Sequence, residues 1–318
     1  MRGSAGMGLL SISRDYFYNI AQPRLRLSFP ALYRRLAVGL VGNGSECFGF
    51  DDNISRDHDW GVDFFIWTLE DDRDMAQALN VWKLQLFEVE PPEFLRTRSE
   101  YGANVSVMTC GEFYASLISV PQEPKNIHEW IKAPEENFAM AVNGEVFYDG
   151  AGEFTKTRNL LLDYYPEDIR LKKIAAKCMA LAQTGQYNHE RTARRGDRVT
   201  MRIILSRFTE NAMALAFLLA KVYRPYYKWS YRALSDLPGI GASVAELLLK
   251  LADAGGLDSD SFYLRRKLIL ELCEVFTGEL KAQGISSSTD WFMAAHGEEV
   301  QRRIKDNALR ALPAQYEL

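Results

Sequence analysis

The chain is poor in the features that would make it a secreted, membrane or fibrous protein. Only four cysteines occur in 318 residues, Cys47, Cys110, Cys178 and Cys273, far apart and without a CxxC pair. That spacing excludes a disulfide framework and points to a reducing, cytoplasmic setting. The longest unbroken apolar run, Ala212 to Ala220, is far short of the roughly 20 residues that a membrane-spanning helix needs. The N-terminal MRGSAGMGLL lacks the apolar stretch of a secretory signal, so neither anchor nor leader is expected. No repeat of fixed period and no low-complexity segment is visible.

What is present is ordinary core material: 47% apolar, 12% aromatic and 25% charged residues, which excludes a disordered, collagen-like or coiled-coil chain. At roughly 100–200 residues per domain the length suggests two domains. The net charge of −4 is an average of unlike halves. Residues 1–150 hold 13 Lys/Arg against 22 Asp/Glu, a net of −9, whereas residues 151–318 hold 25 against 20, a net of +5. An acidic half beside a basic half suits a metal-binding part that works on a polyanion gripped partly by the other.

Periodicity divides the chain near Gly152. Before it, helical spacing over residues 11–40 is interrupted at Pro23 and Pro30, and apolar runs at Leu36–Val41 and Trp60–Trp67 read as buried strands. Asp71–Leu86 reads as a helix, Ala103–Thr109 as a strand, and Ala141–Tyr148 as a short strand or hairpin around Asn143-Gly144. This is an α/β (α+β) mixed-sheet pattern, assigned to residues 8–152. Residues 153–318 read as an all-α helical bundle, with helices expected at Pro166–Thr184, Arg198–Tyr223, Ser243–Ala254, Asp260–Gln283 and Thr289–Ala311, and a polar break at Gly185–Gly196.

The chemistry-bearing stretch runs from Gly42 to Gly61: GNGSECFGFDDNISRDHDWG. It joins Gly44-Ser45 to Asp57-His58-Asp59, the latter opening an apolar run. The run reads as a strand, and alternation along it places Asp57 and Asp59 on one face and His58 on the other. Paired carboxylates so placed can share a divalent cation, and Mg²⁺ binds through one or two carboxylates plus substrate phosphates. Gly44 lets the backbone approach closely, and Ser45 with neighbouring N–H groups can contact a phosphate. The bland alternative is a solvated acidic loop, since Asp51 and Asp52 lie nearby. His58 is expected to be a structural hydrogen-bonding group and not a ligand.

At these residues the chain resembles the DNA-polymerase-β-like nucleotidyltransferase superfamily, whose motif is a Gly-Ser turn followed by Asp-x-Asp on the next strand. The Gly-Ser-Glu, Gly-Phe-Asp and Ser-x-Asp-His-Asp-Trp-Gly segments, with Tyr165-Pro166 and Tyr223-Arg-Pro-Tyr-Tyr-Lys-Trp229, more narrowly resemble the uncharacterised bacterial family DUF4037. The resemblance implies a nucleotidyltransferase-like sheet domain joined to a helical domain, as in aminoglycoside nucleotidyltransferases. It implies Mg²⁺ (or Mn²⁺)-dependent transfer of a nucleoside monophosphate from a nucleoside triphosphate, with ATP the expected donor, to an unidentified hydroxyl or similar acceptor on a small molecule or protein. On it, Asp57 and Asp59 hold metal and Gly44 and Ser45 hold phosphate, in a cleft between the halves. Lys228 is a further phosphate candidate, weighed against a helix C-terminus where lysine complements the dipole.

One departure stands out. The superfamily places a third carboxylate on a neighbouring strand, and the matching Val105-Ser106-Val107 carries Ser106 there. Either another acid such as Glu88, Glu90 or Glu100 serves, or the chain is a catalytically weak nucleotide-binding sensor. Two further features point to other partners. Arg191, Arg194, Arg195, Arg198, Arg202 and Arg207 form a basic stretch that could bind a nucleotide, an anionic acceptor or RNA, or else form a solvated helix end. Pro238-Gly-Ile-Gly241 resembles a helix-hairpin-helix turn, which makes a nucleic-acid-binding protein the second alternative. A membrane partner is not expected.

Overall fold

The computed structural model describes residues 8–57, 60–94, 106–255 and 259–318, with the backbone alone at Arg56, Asp57 and Ser259. The chain forms two compact units, Met1–Asp163 and Tyr164–Leu318. The first is mixed α/β and the second helical.

In the first unit, α1 (Leu9–Tyr16) passes through a π-turn, Phe17–Ala21, into α2 (Gln22–Ser28). The π-turn lies just before Pro23, which has no N–H to give to the helical ladder that continues from α1. The sheet strands are β1 (Ala37–Leu40), β2 (Phe65–Thr68), β3 (Val107–Thr109) and β4 (Glu145–Asp149), in the order β3-β2-β1-β4. Between them lie α3 (Ala76–Val89), α4 (Cys110–Ile118), α5 (Ile127–Trp130) and α6 (Glu135–Val142), and α7 (Glu153–Leu162) follows β4. α7 packs on β4, which keeps it with the sheet and sets the division between units after Asp163.

β1 is antiparallel to both β2 and β4, with Val38 opposite Ile66 and Tyr148, and β2 is parallel to β3, with Ile66 opposite Val107. The two-residue period of the strands splits their side chains between two packed faces. Val38, Phe64, Ile66 and Phe147 join Phe17, Leu25 and Leu79 in one core. Trp67, on the opposite face, stacks on Phe154 of α7 at 3.9 Å between ring centroids and meets Phe113 of α4 edge-on at 5.2 Å. Each such buried side chain contributes roughly 1.5–3 kcal/mol.

The second unit comprises α8 (Glu167–Leu181), α9 (His189–Arg194), α10 (Arg198–Ala220), α11 (Tyr227–Leu234), α12 (Gly241–Asp253), α13 (Ser259–Ala282), α14 (Met293–Arg302) and α15 (Asn307–Ala311). α8 is central, packed against α10 and α14. Its buried Arg170 donates from Nε to the Leu218 carbonyl at 3.0 Å, and Gln283 donates to the Leu219 carbonyl at 2.9 Å. These bonds add donors to carbonyls in the last turn of α10, where the helical ladder ends. α10 is long and apolar enough to cross a membrane by length and composition, and its second half, Ala212 to Leu219, is buried within the unit.

Two helical expectations are corrected. The break expected at Gly185–Gly196 is partly filled: a π-turn, Ala182–Asn188, carries α8 into α9. Gly185 serves contact there, because a Cβ would lie 2.4 Å from the Phe208 ring. The single helix expected over Thr289–Ala311 is two. The Asp168 carboxylate accepts the Lys305 and Asp306 N–H groups at 3.0 and 2.8 Å, and Asp306 caps α15 through Leu309 N–H at 2.9 Å.

Candidate functional site

The strand directions gather the sequence motif at one end of the sheet. β1 runs antiparallel to β2, and β3 parallel to β2, so the end of β1 and the starts of β2 and β3 coincide. The Gly42–Ser45 turn leaves β1 there, the chain carrying Asp57 enters β2 there, and Ser106 immediately precedes β3.

The turn is held from behind. The Asn143 side chain accepts the Gly42 N–H and donates to the Gly42 carbonyl, both at 2.8 Å, while Gly144 N–H donates to the Cys47 carbonyl at 2.7 Å. Gly144 has φ +60°, and a Cβ there would lie 2.0 Å from the Leu40 carbonyl oxygen, so only glycine fits. Asn143-Gly144 is a helix-to-strand turn between α6 and β4, so of the short strand or hairpin expected there the strand is found. Arg158 of α7 donates from Nη2 to the Val142 and Gly144 carbonyls at 2.7 and 3.2 Å, bracing the same turn.

Within the turn, Ser45 leads a 3₁₀ turn, Glu46–Phe48, without using its hydroxyl to cap it. Glu46 is 2% exposed, and its carboxylate oxygens lie 2.6 Å from where a Cβ on Gly44 would sit. A substituted Gly44 would collide with this buried acid. Of the neighbouring acids, Asp51 accepts Leu9 N–H at 2.9 Å at the start of α1, and Asp52 accepts the Ile54 and Ser55 N–H groups at 2.9 and 3.0 Å. These two are turn-building acids.

The strand expected from Trp60 is shorter: β2 begins at Phe65, and Asp57 closes a 3₁₀ turn, Ile54–Asp57. Strand alternation therefore does not govern Asp57. The Asp57 side chain, His58 and Asp59 lie outside the described residues. Among the described residues no group of three or more His, Cys, Asp or Glu side chains is placed to hold a metal ion. Just before β2, Asp63 forms a buried ion pair with Lys83 of α3 at 2.5 Å, and the Lys83 ammonium also bonds the Phe64 carbonyl at 2.5 Å and faces the Phe64 ring at 4.7 Å.

The third-carboxylate candidates do not gather here. Ser106 is buried and its carbonyl accepts Ile66 N–H at 2.9 Å. Glu88 is exposed on α3, Glu90 pairs with Arg24, and Glu100 lies outside the described residues. Sequence reasoning passed over Glu46, Asn143 as a side chain, and Arg158. The Gly-Ser-Glu sequence was the available signal for the first.

Lys228 lies in the second unit, in the first turn of α11, where a cation opposes the helix dipole. The helix C-terminus weighed for it is thus a helix start. It is exposed, with its ammonium 5.0 Å from the Trp229 ring centroid. Buried Tyr223 packs against Tyr164 and Tyr165 at 4.7 and 5.0 Å. The Pro238-Gly-Ile-Gly241 segment connects α11 to α12, and Tyr231 of α11 donates to the Ala245 carbonyl at 3.2 Å. All four cysteines are free thiols. Burial, with Asp149 and Glu153 nearby, pushes Cys110 up to about 12, and burial does the same to Cys273, so neither is a ready nucleophile.

The architecture defines a small mixed α/β unit followed by a helical one. Residues 130–230 match the family model of a domain of unknown function, DUF4037. The matched span contains Asn143, Gly144, Arg158, Tyr165 and the Tyr223–Trp229 segment, and it stops short of the Gly44–Asp59 motif. No curated protein and no solved structure matches the chain.

Proposed function

We propose that this chain is a Mg²⁺- or Mn²⁺-dependent nucleotidyltransferase with its site at the Gly42–Ser45 end of the sheet. The observation that carries the reading is the convergence of strand ends, which brings the turn after β1, the entry to β2 and the start of β3 to one edge. A glycine turn beside a carboxylate-bearing segment is what a triphosphate and a hard cation need. The donor set fits such a cation: Asp57 and Asp59 would hold it, close in sequence to the buried Glu46 carboxylate and the Ser45 hydroxyl. The metal supplies charge neutralisation for the phosphates.

The chain's own residues do the positioning. Asn143 fixes the turn, Arg158 holds the α6–β4 turn behind it, Gly44 and Ser45 receive phosphate oxygens, and Lys228 is a further candidate contact for phosphate. In the reaction an acceptor oxygen forms a bond to the α-phosphorus, the α–β bridging bond breaks, and pyrophosphate leaves. The acceptor proton needs a base that the described residues do not identify. Catalysis of this kind is mostly positioning and electrostatics.

A second reading, a nucleotide-binding sensor of low activity, draws on Ser106, which offers neither carboxylate nor base beside the turn. Calorimetry with ATP, GTP, CTP and UTP, with and without Mg²⁺, tests both. Binding that needs the metal and is lost in Asp57→Ala/Asp59→Ala supports the site; unchanged binding in that variant removes it. Pyrophosphate release over an acceptor panel then separates enzyme from sensor. A cytoplasmic location is part of the same proposal.

A further inference from the structure

The second unit carries 23 Lys/Arg against 18 Asp/Glu, and the excess is local. Residues 187–207 hold six arginines and two acids. Arg191 lies on the Tyr187 ring at 4.8 Å, and Arg194 pairs with Glu190. Asp197 is committed to capping α10, accepting Thr200 N–H at 3.0 Å and its hydroxyl at 2.6 Å. Arg195, Arg198, Arg202 and Arg207 are exposed and form no ion pair among the described residues.

The exposed face of α10 explains what this charge can grip. At about 100° per residue, Arg198 and Arg202 fall within about 40° of each other, one turn apart, with Val199 and Ile203 beside them. Val199 is 71% and Ile203 47% exposed. The opposite face, Met201, Ile204 and Phe208, is buried in the unit. Beside α9, His189 stacks on Phe262 at 5.2 Å and Glu190 lies 3.9 Å from Arg266, which seats the start of α13 against the arginine stretch. Tyr263, at 64% exposure, and Tyr187, at 51% and with Arg191 over one face of its ring, flank it.

We propose that the α9–α10 face, with Tyr187 and Tyr263, is a binding surface for single-stranded nucleic acid. Guanidinium groups match phosphate geometry and stay charged at all working pH values. Exposed tyrosine rings next to them offer stacking platforms that unpaired bases can use and a duplex cannot. A lipid surface is a poorer match, because membrane-lying helices insert an apolar face and that of α10 is already buried. The surface lies wholly in the second unit and stands independently of the nucleotidyltransferase reading.

The test uses the full chain and fluorescein-labelled 15-nucleotide oligo-U and oligo-dT, read by anisotropy between 50 and 200 mM KCl. Single strands should bind with a salt dependence of about 0.7 per phosphate neutralised in log–log slope. Arg198→Glu/Arg202→Glu should weaken binding by about tenfold or more and flatten the slope by about 1.4, two contacts' worth. Tyr263→Ala should weaken binding with the slope unchanged, while Lys132→Glu, an equal change per residue in the first unit, should do neither. Comparison of oligo-U with oligo-dT assigns the source as RNA or DNA. All three positions on the surface are exposed, and thermal melts verify that the variants fold. No binding at 50 mM KCl, or binding indifferent to the arginine reversal, overturns the proposal. So does equal affinity for a duplex with Tyr263→Ala silent, and so does arginine-dependent sedimentation with phosphatidylserine vesicles without oligonucleotide binding.

Discussion

Acidification should destabilise this protein through one histidine before its carboxylates titrate. His189 is 1% exposed, its ring lies parallel to Phe262 at 5.2 Å, and its Nε2 makes no hydrogen bond among the described residues. Burial, reinforced by Arg265 and Arg266 and partly offset by Glu190, pushes its pKa from 6.5 down to about 4. The unfolded chain therefore takes up this proton near pH 6.5 and the folded chain only near pH 4. Between those values the unfolded state binds more protons, so stability falls as pH falls, and below about 4 this group adds nothing more. A shift of that size is worth about 3 kcal/mol. For a unit of this length that is roughly 6–12 °C in Tm. Urea and thermal unfolding of the full chain and of His189→Leu, compared at pH 7, 6, 5 and 4, isolate the effect, because the carboxylates titrate alike in both. The wild type should lose about 3 kcal/mol more than the variant across this range. Parallel losses, or an imidazole signal titrating near 6.5 by NMR, would refute the reasoning.

Three other perturbations probe separate parts of the molecule. Lys83→Met removes the ammonium that neutralises buried Asp63 and should cost about 3–5 kcal/mol in urea unfolding, much of it recovered in Asp63→Leu/Lys83→Met. Asn143→Ala removes the brace on Gly42 and Arg158→Met the one on the α6–β4 turn behind it; each should cost about 0.5–2 kcal/mol of stability and, on the nucleotidyltransferase reading, weaken Mg²⁺–nucleotide binding in calorimetry by more than the stability loss explains. Glu299 accepts the Ser287 and Ser288 N–H groups and the Ser286 and Ser287 hydroxyls, and the Ser287 hydroxyl first, with the other bonds, holds its carboxyl down at about 2. Its contribution is present above about pH 4.5 and lost as pH falls through about 2, so amide exchange at Ser287 and Ser288 should quicken in Glu299→Gln at neutral pH.

The sequence was most legible where one local signal decided the outcome. Leu36–Val41 contains β1, and the helices expected from Pro166, Arg198, Ser243 and Asp260 appear within a few residues of α8, α10, α12 and α13. Apolar periodicity marks a buried face, and each of these segments has one. It failed where a contact distant in sequence decided. Gly185 looked like a breaker but fits a ring 23 positions on, and Trp60–Phe64 looked like strand although the Asp63–Lys83 pair and the Val62 N–H bond to the Phe94 carbonyl at 2.6 Å occupy that stretch. The α4 start was readable and passed over: Thr109 and Glu112 form a capping box, with bonds of 3.0 and 2.8 Å. Glu46 was hard to read because an acid after Gly-Ser has the composition of a surface turn, and only the fold shows it to be buried.

The clamp on the Gly42–Ser45 turn bears on how the family match and the nucleotide motif relate. The match spans residues 130–230, and the motif lies some ninety residues earlier. Yet the bonds that hold this loop from behind, Asn143 to Gly42 and Gly144 to Cys47, come from the matched span, as does Arg158, which holds the α6–β4 turn that carries them. β4 makes this possible: it pairs with β1, so the α6–β4 turn must arrive beside the loop leaving β1. Gly144 then approaches Leu40 too closely for any side chain, and Asn143 takes both polar groups of Gly42. The matched span thus contributes to the first unit the edge strand and the turn that set the conformation of the loop. A role for that loop in binding phosphate therefore requires α6, β4 and α7, and a substitution in any of them that shifts Asn143 should act on nucleotide affinity as one in the loop itself would.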